Sequence, residues 1–175
     1  TTELVLVKPT ETAFHVTLLG GTDDLNAGQA IDRTGVLMGL HFPCGAEMER
    51  LLDSLANDKS VPAPHVSVRG LHCNLSGLEN LAGKLYGETN DTGLVSAFVF
   101  DYVAQTLLKL TGNFRAEYGD LPVLYAGGVM SNERIRRQLS RNPDTYFAEP
   151  CFSSDNAAGI ALLCRKNYLT EHVSE

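Results

Sequence analysis

The run Val123 to Leu139, VLYAGGVMSNERIRRQL, limits the fold more than any other stretch. An apolar strand-like segment meets two glycines, and the apolar residues beyond them recur at helical spacing. A strand that turns directly into a helix belongs to layered α/β architecture. A second helix start follows in FSSDNAAGIALL, Phe152 to Leu163, where small polar residues precede an apolar run. Free backbone N–H groups and the positive end of the dipole make a helix mouth an anion-binding position. Two mouths this close suggest a half-domain that handles phosphate or nucleotide.

The rest of the chain fits that class. Leu4 to Val7 and Phe14 to Leu19 read as strands joined by a loop at Lys8-Pro9-Thr10-Glu11-Thr12, and Gly20-Gly21 is expected to break the second strand. Helices are expected over Asn26–Leu40, Glu47–Leu55 and Leu75–Leu85. Asn57–Pro64 reads as a polar loop, and His65–Cys73 is ambiguous, with Val66 and Val68 on one face of a short strand. Thr92 to Ala116 is the longest helix, with Val95, Phe98, Val99, Tyr102, Val103, Thr106, Leu107 and Leu110 at helical spacing. Leu121–Ala126 reads as a buried strand, Met130–Ser140 as a helix, Thr145–Ala148 as a short strand and Ser153–Arg165 as a final helix. A hairpin, helices, then βαβα indicate a mixed sheet with a parallel portion, compatible with a ribonuclease-H-like half of an actin-type ATPase among other α/β layouts.

A chain of 175 residues with 43% apolar content can bury one sizeable core. The net charge of -7 argues against stand-alone binding to nucleic acid, so basic surface for an RNA substrate is expected from other segments or partners. Cys44, Cys73, Cys151 and Cys164 form no CxxC pair and read as reduced thiols of a cytoplasmic protein. No 18-residue apolar run is seen, so no membrane span is expected. A strand that begins almost at Thr1 suggests a chain cut from something longer.

Four constellations carry chemistry. Gly28, Asp32, Gly35 and Gly39 stand at i, i+4, i+7 and i+11 of one helix face. Helical glycines cost about 1 kcal/mol each relative to alanine. Either a neighbouring element packs closely there, or the face is a bare wall where Asp32 holds a ligand hydroxyl or amine, such as a ribose. In Phe42-Pro43-Cys44-Gly45, Gly45 either ends a helix turn or lets the backbone approach a ligand. Gly127-Gly128 with Asn132 fits a phosphate loop, and Asn132 either caps the helix or contacts the ligand. Ser153-Ser154-Asp155-Asn156 reads as a helix cap or makes Asp155 a metal ligand. The five histidines form no HxxxH or HExxH pair, and Arg134, Arg136, Arg137 and Arg141 are the one basic cluster.

Taken in order, LLGGTDDLNAGQAIDRTGVLMGLHFPCG, GLHCNLSGLEN, YAGGVMSNERIRRQL and CFSSDNAAGIALL resemble the C-terminal half of the TsaD family, the tRNA threonylcarbamoyladenosine synthases once labelled O-sialoglycoprotein endopeptidases. The family pattern runs from a DDAAGEAFDK-like helix through a YPGGP-like turn, an SGLKT-like segment and AGGVAAN to TDNAAMIA. The resemblance implies the two-lobed actin-like ATPase fold, with this chain, 1–175, as a single-domain second lobe whose N-terminal lobe is absent. It implies that Asp32, Gly45, Gly127, Gly128 and Asn132 bind a threonylcarbamoyl-adenylate or ATP-like nucleotide. Asp155 becomes a ligand to a divalent metal, iron or zinc, with an HxxxH pair in the first lobe completing the set.

The expected activity is transfer of a threonylcarbamoyl group to N6 of an adenosine beside the tRNA anticodon. Expected partners are the chain's own N-terminal lobe, sister subunits of a tRNA-modification complex, tRNA through that complex, and a second copy as homodimer. Cys44 replaces a turn glycine of the family, and GLHCNLSG departs from SGLKT. The rival readings are a non-catalytic nucleotide- or partner-binding paralogue, a sugar-kinase-like phosphotransferase and the older metallopeptidase label.

Overall fold

The computed structural model describes residues 1–10, 13–55, 59–153 and 157–172. Strands β1 (Glu3–Pro9) and β2 (Phe14–Thr22) form the expected hairpin. Gly20 and Gly21 do not end β2. The strand continues through them because a neighbour comes too close for any side chain. A Cβ on Gly20 would stand 2.1 Å from Leu71 O, and one on Gly21 2.4 Å from Thr2 O. Gly21 N–H donates to Leu71 O at 3.0 Å across that approach.

Helix α1 (Ala27–Leu37) follows, then α2 (Gly45–Leu51), which tightens into a 3-10 turn at Leu52–Ser54. The ambiguous segment is a small antiparallel pair, β3 (Ser67–Arg69) and β4 (His72–Asn74). The ends of β2 and β4 run parallel, which gives a sheet of order β1-β2-β4-β3. Helices α3 (Gly77–Thr89) and α4 (Thr92–Tyr118) complete the first part. Asp24 ties its two ends together. Its carboxylate accepts from the backbone of Leu75 at 2.8 Å and from the Ser76 hydroxyl at 2.5 Å.

A second parallel pairing forms a separate two-stranded sheet, β5 (Val123–Tyr125) with β6 (Thr145–Phe147), not a continuation of the first. β5 is not buried as the sequence suggested: Leu124 is 66% exposed. Between these strands lie a 3-10 turn at Gly128–Ser131 and α5 (Glu133–Leu139). The single helix expected over Met130–Ser140 is thus two pieces, divided at Asn132. Helix α6 (Ala157–His172) closes the fold.

Helix α4 is the axis of the core. Val95, Ala97, Val99, Phe100, Val103 and Ala104 are buried, and α1, α2, α3 and α5 pack around them. Among the described residues α4 is also the one helix long and apolar enough to cross a membrane, and 72% of its most apolar stretch is buried inside the protein. Burial on all sides explains its apolar composition. Asp101 anchors α5 to α4 through a bidentate bond from Arg134, 2.7 Å at each oxygen.

Candidate functional site

Three elements meet at one place: the middle of α1, the start of α2 and the turn after β5. Asp32 and Cys44 form the first link. The Asp32 carboxylate accepts from Cys44 N–H at 2.8 Å through Oδ1, and the Cys44 thiol donates to Asp32 O at 3.4 Å. Oδ2 has no hydrogen-bond partner among the described residues. Gly28 and Val129 form the second link, since a Cβ on Gly28 would lie 3.6 Å from Val129 Cγ2. The third link is Glu49 of α2, which accepts from Glu133 N–H at 2.7 Å at the start of α5. α1, α2 and the segment from the 127–131 turn to the α5 start are therefore held against one another.

The glycine face of α1 is largely packed and not bare. A Cβ on Gly35 would fall 2.2 Å from Cys44 Cβ and 2.6 Å from its Sγ. Cys44 is fully buried there, and burial raises its thiol pKa, assisted by the charges of Asp32 and Glu47. Gly39 lies beyond the end of α1, with φ of +86°, and forms the turn that leaves the helix. Asp32 stands at the border between this packed face and a hollow of about 550 Å³. Gln29, Arg33, Val36, Phe42 and Glu79 line the hollow with it. Phe42 is 75% exposed. Gly45 opens α2 with free space where a side chain would project.

The glycine turn differs from the expected helix mouth in an instructive way. Two of the N–H groups at the α5 start are already taken, Glu133 by Glu49 and Ile135 by the Asn132 side chain at 3.0 Å. Asn132 is thus a buried helix cap, as one of its two sequence readings held. Its Nδ2 has no partner among the described residues. The free donors lie one step earlier. The N–H groups of Gly127, Gly128 and Val129 find no acceptor among the described residues, and Gly127 has φ of +107°. Successive N–H groups presented by such a turn form an anion-binding concavity.

Asp155 lies outside the described residues. The 3-10 turn just before it, Pro150–Phe152, packs against the Gly128–Ser131 turn. Among the described residues no group of three or more His, Cys, Asp or Glu could hold a metal ion. The basic cluster is partly committed elsewhere, Arg134 to Asp101 and Arg136 over the Phe147 ring at 4.8 Å. Sequence reasoning missed Glu49. It lies 84 residues from its partner, and no local pattern marks it.

A family model described as TsaD, tRNA N6-adenosine threonylcarbamoyltransferase, matches residues 2–162 of the 175.

Proposed function

The chain belongs to the TsaD family of tRNA N6-adenosine threonylcarbamoyltransferases, and from that membership we propose that it is one lobe of an enzyme that moves a threonylcarbamoyl group from an adenylate to N6 of a tRNA adenosine beside the anticodon. One observation supports the reading: the half-satisfied Asp32 carboxylate is on α1, the helix that also packs its Gly28 against Val129, in a turn whose N–H groups at 127–129 have no acceptor among the described residues. A carboxylate beside free N–H donors matches the ribose and phosphate ends of an adenylate.

In this proposal Asp32 Oδ2 accepts from a ribose hydroxyl. Cys44 N–H holds Oδ1 and fixes the carboxylate's direction. The 127–129 N–H groups donate to the phosphate, and Gly45 leaves room for the nucleotide to approach α2. Held this way, the adenylate presents its carbamoyl carbon. The N6 amine attacks that carbon, the carbon–oxygen bond to phosphate breaks, AMP departs with the electron pair, and N6 releases a proton. The donors at the phosphate stabilise the charge that develops on the departing oxygen.

The family's metal does not find a ligand set among the described residues. Asp155 is proposed to contribute one ligand, with histidines of an N-terminal lobe contributing the others. The hairpin supports an assembly with further protein. Val5, Val7, Phe14, Val16 and Leu18 share one face of β1 and β2, and all are exposed by 42–65%. An apolar patch of this kind marks an interaction surface. The proposed covering is the N-terminal lobe or a sister subunit.

The test is threonylcarbamoylation of a tRNA transcript by the full-length protein and its Asp32→Asn variant. Asparagine keeps an acceptor for Cys44 N–H and removes the charge offered to the ribose. A hydrogen bond to a charged group contributes about 1.5–3 kcal/mol, so adenylate affinity falls about ten- to a hundredfold. Unchanged turnover would sink the assignment. Cys44 at the turn favours a second reading, a nucleotide-binding paralogue without chemistry. Adenylate binding with no transfer in the wild type would select it.

A further inference from the structure

The outward face of β3 and β4 carries a second polar site, apart from the Asp32 region. Their antiparallel register pairs Ser67 with Asn74 and Arg69 with His72, so these four side chains share one face. Val68 and Cys73 take the other face, against the core. The loop after β2 adds Asp23, whose Oδ1 lies 2.7 Å from His72 Nδ1. The five residues line a hollow of about 540 Å³, within the range of nucleotide-sized sites. The hairpin is anchored from behind, because Asn113 Nδ2 of α4 donates to Gly70 O at 2.7 Å.

The donors at this hollow are unspent. Arg69 has no ion pair or hydrogen bond among the described residues, and neither the Ser67 hydroxyl nor the Asn74 amide has a partner. The Asp23 carboxylate is engaged by His72. Because a carboxylate only accepts, Nδ1 carries the proton, and in the neutral form of the ring Nε2 is an acceptor. A guanidinium, an amide and a hydroxyl beside one imidazole acceptor match an anionic oxygen with a hydroxyl next to it. That is the chemistry of a ribose–phosphate unit.

We propose that the β3–β4 face binds a ribose–phosphate unit of an RNA strand, with Arg69, Ser67 and Asn74 on phosphate oxygens and His72 Nε2 accepting from a 2′-hydroxyl. The choice of RNA over a free nucleotide rests on the proposed tRNA-modifying role; the site's chemistry does not. Contacts to 2′-hydroxyls are what separate RNA from DNA.

The experiment follows binding of a fluorescent single-stranded RNA to the full-length protein by anisotropy across a salt series. Its all-deoxy counterpart is run beside it. Arg69→Gln is expected to weaken RNA binding several-fold and to reduce the slope of log K against log salt by about 0.7, the contribution of one phosphate contact on a single strand. His72→Phe is expected to lower the RNA-over-DNA preference. Both side chains are exposed, and a thermal melt confirms that the variants fold.

An unchanged slope and an unchanged RNA preference would overturn the site. Binding of AMP or inorganic phosphate that depends on Arg69, with RNA binding insensitive to it, would keep the phosphate chemistry and overturn the RNA source. Asp32→Asn is measured in parallel with adenylate. RNA binding insensitive to Arg69→Gln alone sinks this site, whereas adenylate binding insensitive to Asp32→Asn alone sinks the transferase reading.

Discussion

Replacing Gly35 by alanine brings a methyl group to 2.2 Å from Cys44 Cβ, where ordinary contact begins near 3.4 Å. Neither side can yield cheaply. Gly35 is in the body of α1, and Cys44 is fully buried at the entrance to α2. The α2 start must withdraw, and the bond from Cys44 N–H to Asp32 Oδ1 stretches with it. Overpacking costs about 1–3 kcal/mol. Weakening a hydrogen bond to a carboxylate adds about 1 kcal/mol, and the gain in helix propensity returns about 1 kcal/mol. The net expectation is about 1–3 kcal/mol of lost stability, a fall in Tm of roughly 2–12 °C for a chain of this size. Urea unfolding of wild type, Gly35→Ala, Cys44→Gly and the double variant measures it. Glycine at 44 removes the clash and keeps the N–H, so the double variant should recover about 1–2 kcal/mol over additivity. Gly35→Ala within about 0.5 kcal/mol of wild type, or strict additivity, would refute the idea that these two residues are a packed pair.

Other outcomes follow from the same contacts. Asn132→Ala removes the α5 cap and should cost about 1 kcal/mol by urea unfolding, while Asn132→Asp should cost less because it keeps the acceptor for Ile135 N–H. Burial alone would raise the Asp24 pKa, but bonds from the Ser76 side chain and the backbone of Leu75, Leu25 and Ser76 outweigh it and hold the carboxyl well below its usual range. Its stabilisation is therefore complete above about pH 4 and lost as pH falls towards the folded-state value, and Asp24→Asn should flatten that acid-side decline in the urea midpoint. Of the four cysteines, Cys151 and Cys164 are exposed while Cys44 and Cys73 are buried, and burial pushes Cys73 to about 11. A thiol reagent should titrate two groups rapidly in the native protein and four in urea; four rapid groups would contradict the buried placement.

The parts of this structure that follow from local pattern were legible beforehand. Runs of β-forming residues marked β1 and β2, helical spacing marked α4, and the order of strand, glycine turn and helix marked β5 to α5. What was not legible depends on distant partners. Gly20 and Gly21 looked like a strand breaker, yet they are glycines because Leu71 O and Thr2 O approach them. The α1 glycines read as either a packed face or a bare wall, and Cys44 seated on Gly35 decides for packing there. Asn132 looked like either a cap or a ligand contact, and the distinction rests on Ile135 N–H. Glu49 filling the α5 start moved the free donors back to Gly127, Gly128 and Val129, and no periodicity could have shown that. Asp32 itself stood out as the one carboxylate on a glycine-rich face, and its half-used oxygen pair became visible only with Cys44 in place.

The central claim is that α1, the α2 start and the turn after β5 together seat one adenylate. Photolabelling of the full-length protein with a photoreactive adenosine nucleotide, followed by peptide mapping, addresses it directly. Label is expected within residues 26–46 and 123–133, reduced by excess unlabelled nucleotide and by Asp32→Asn. Label confined to other segments, or indifferent to Asp32→Asn, would contradict it.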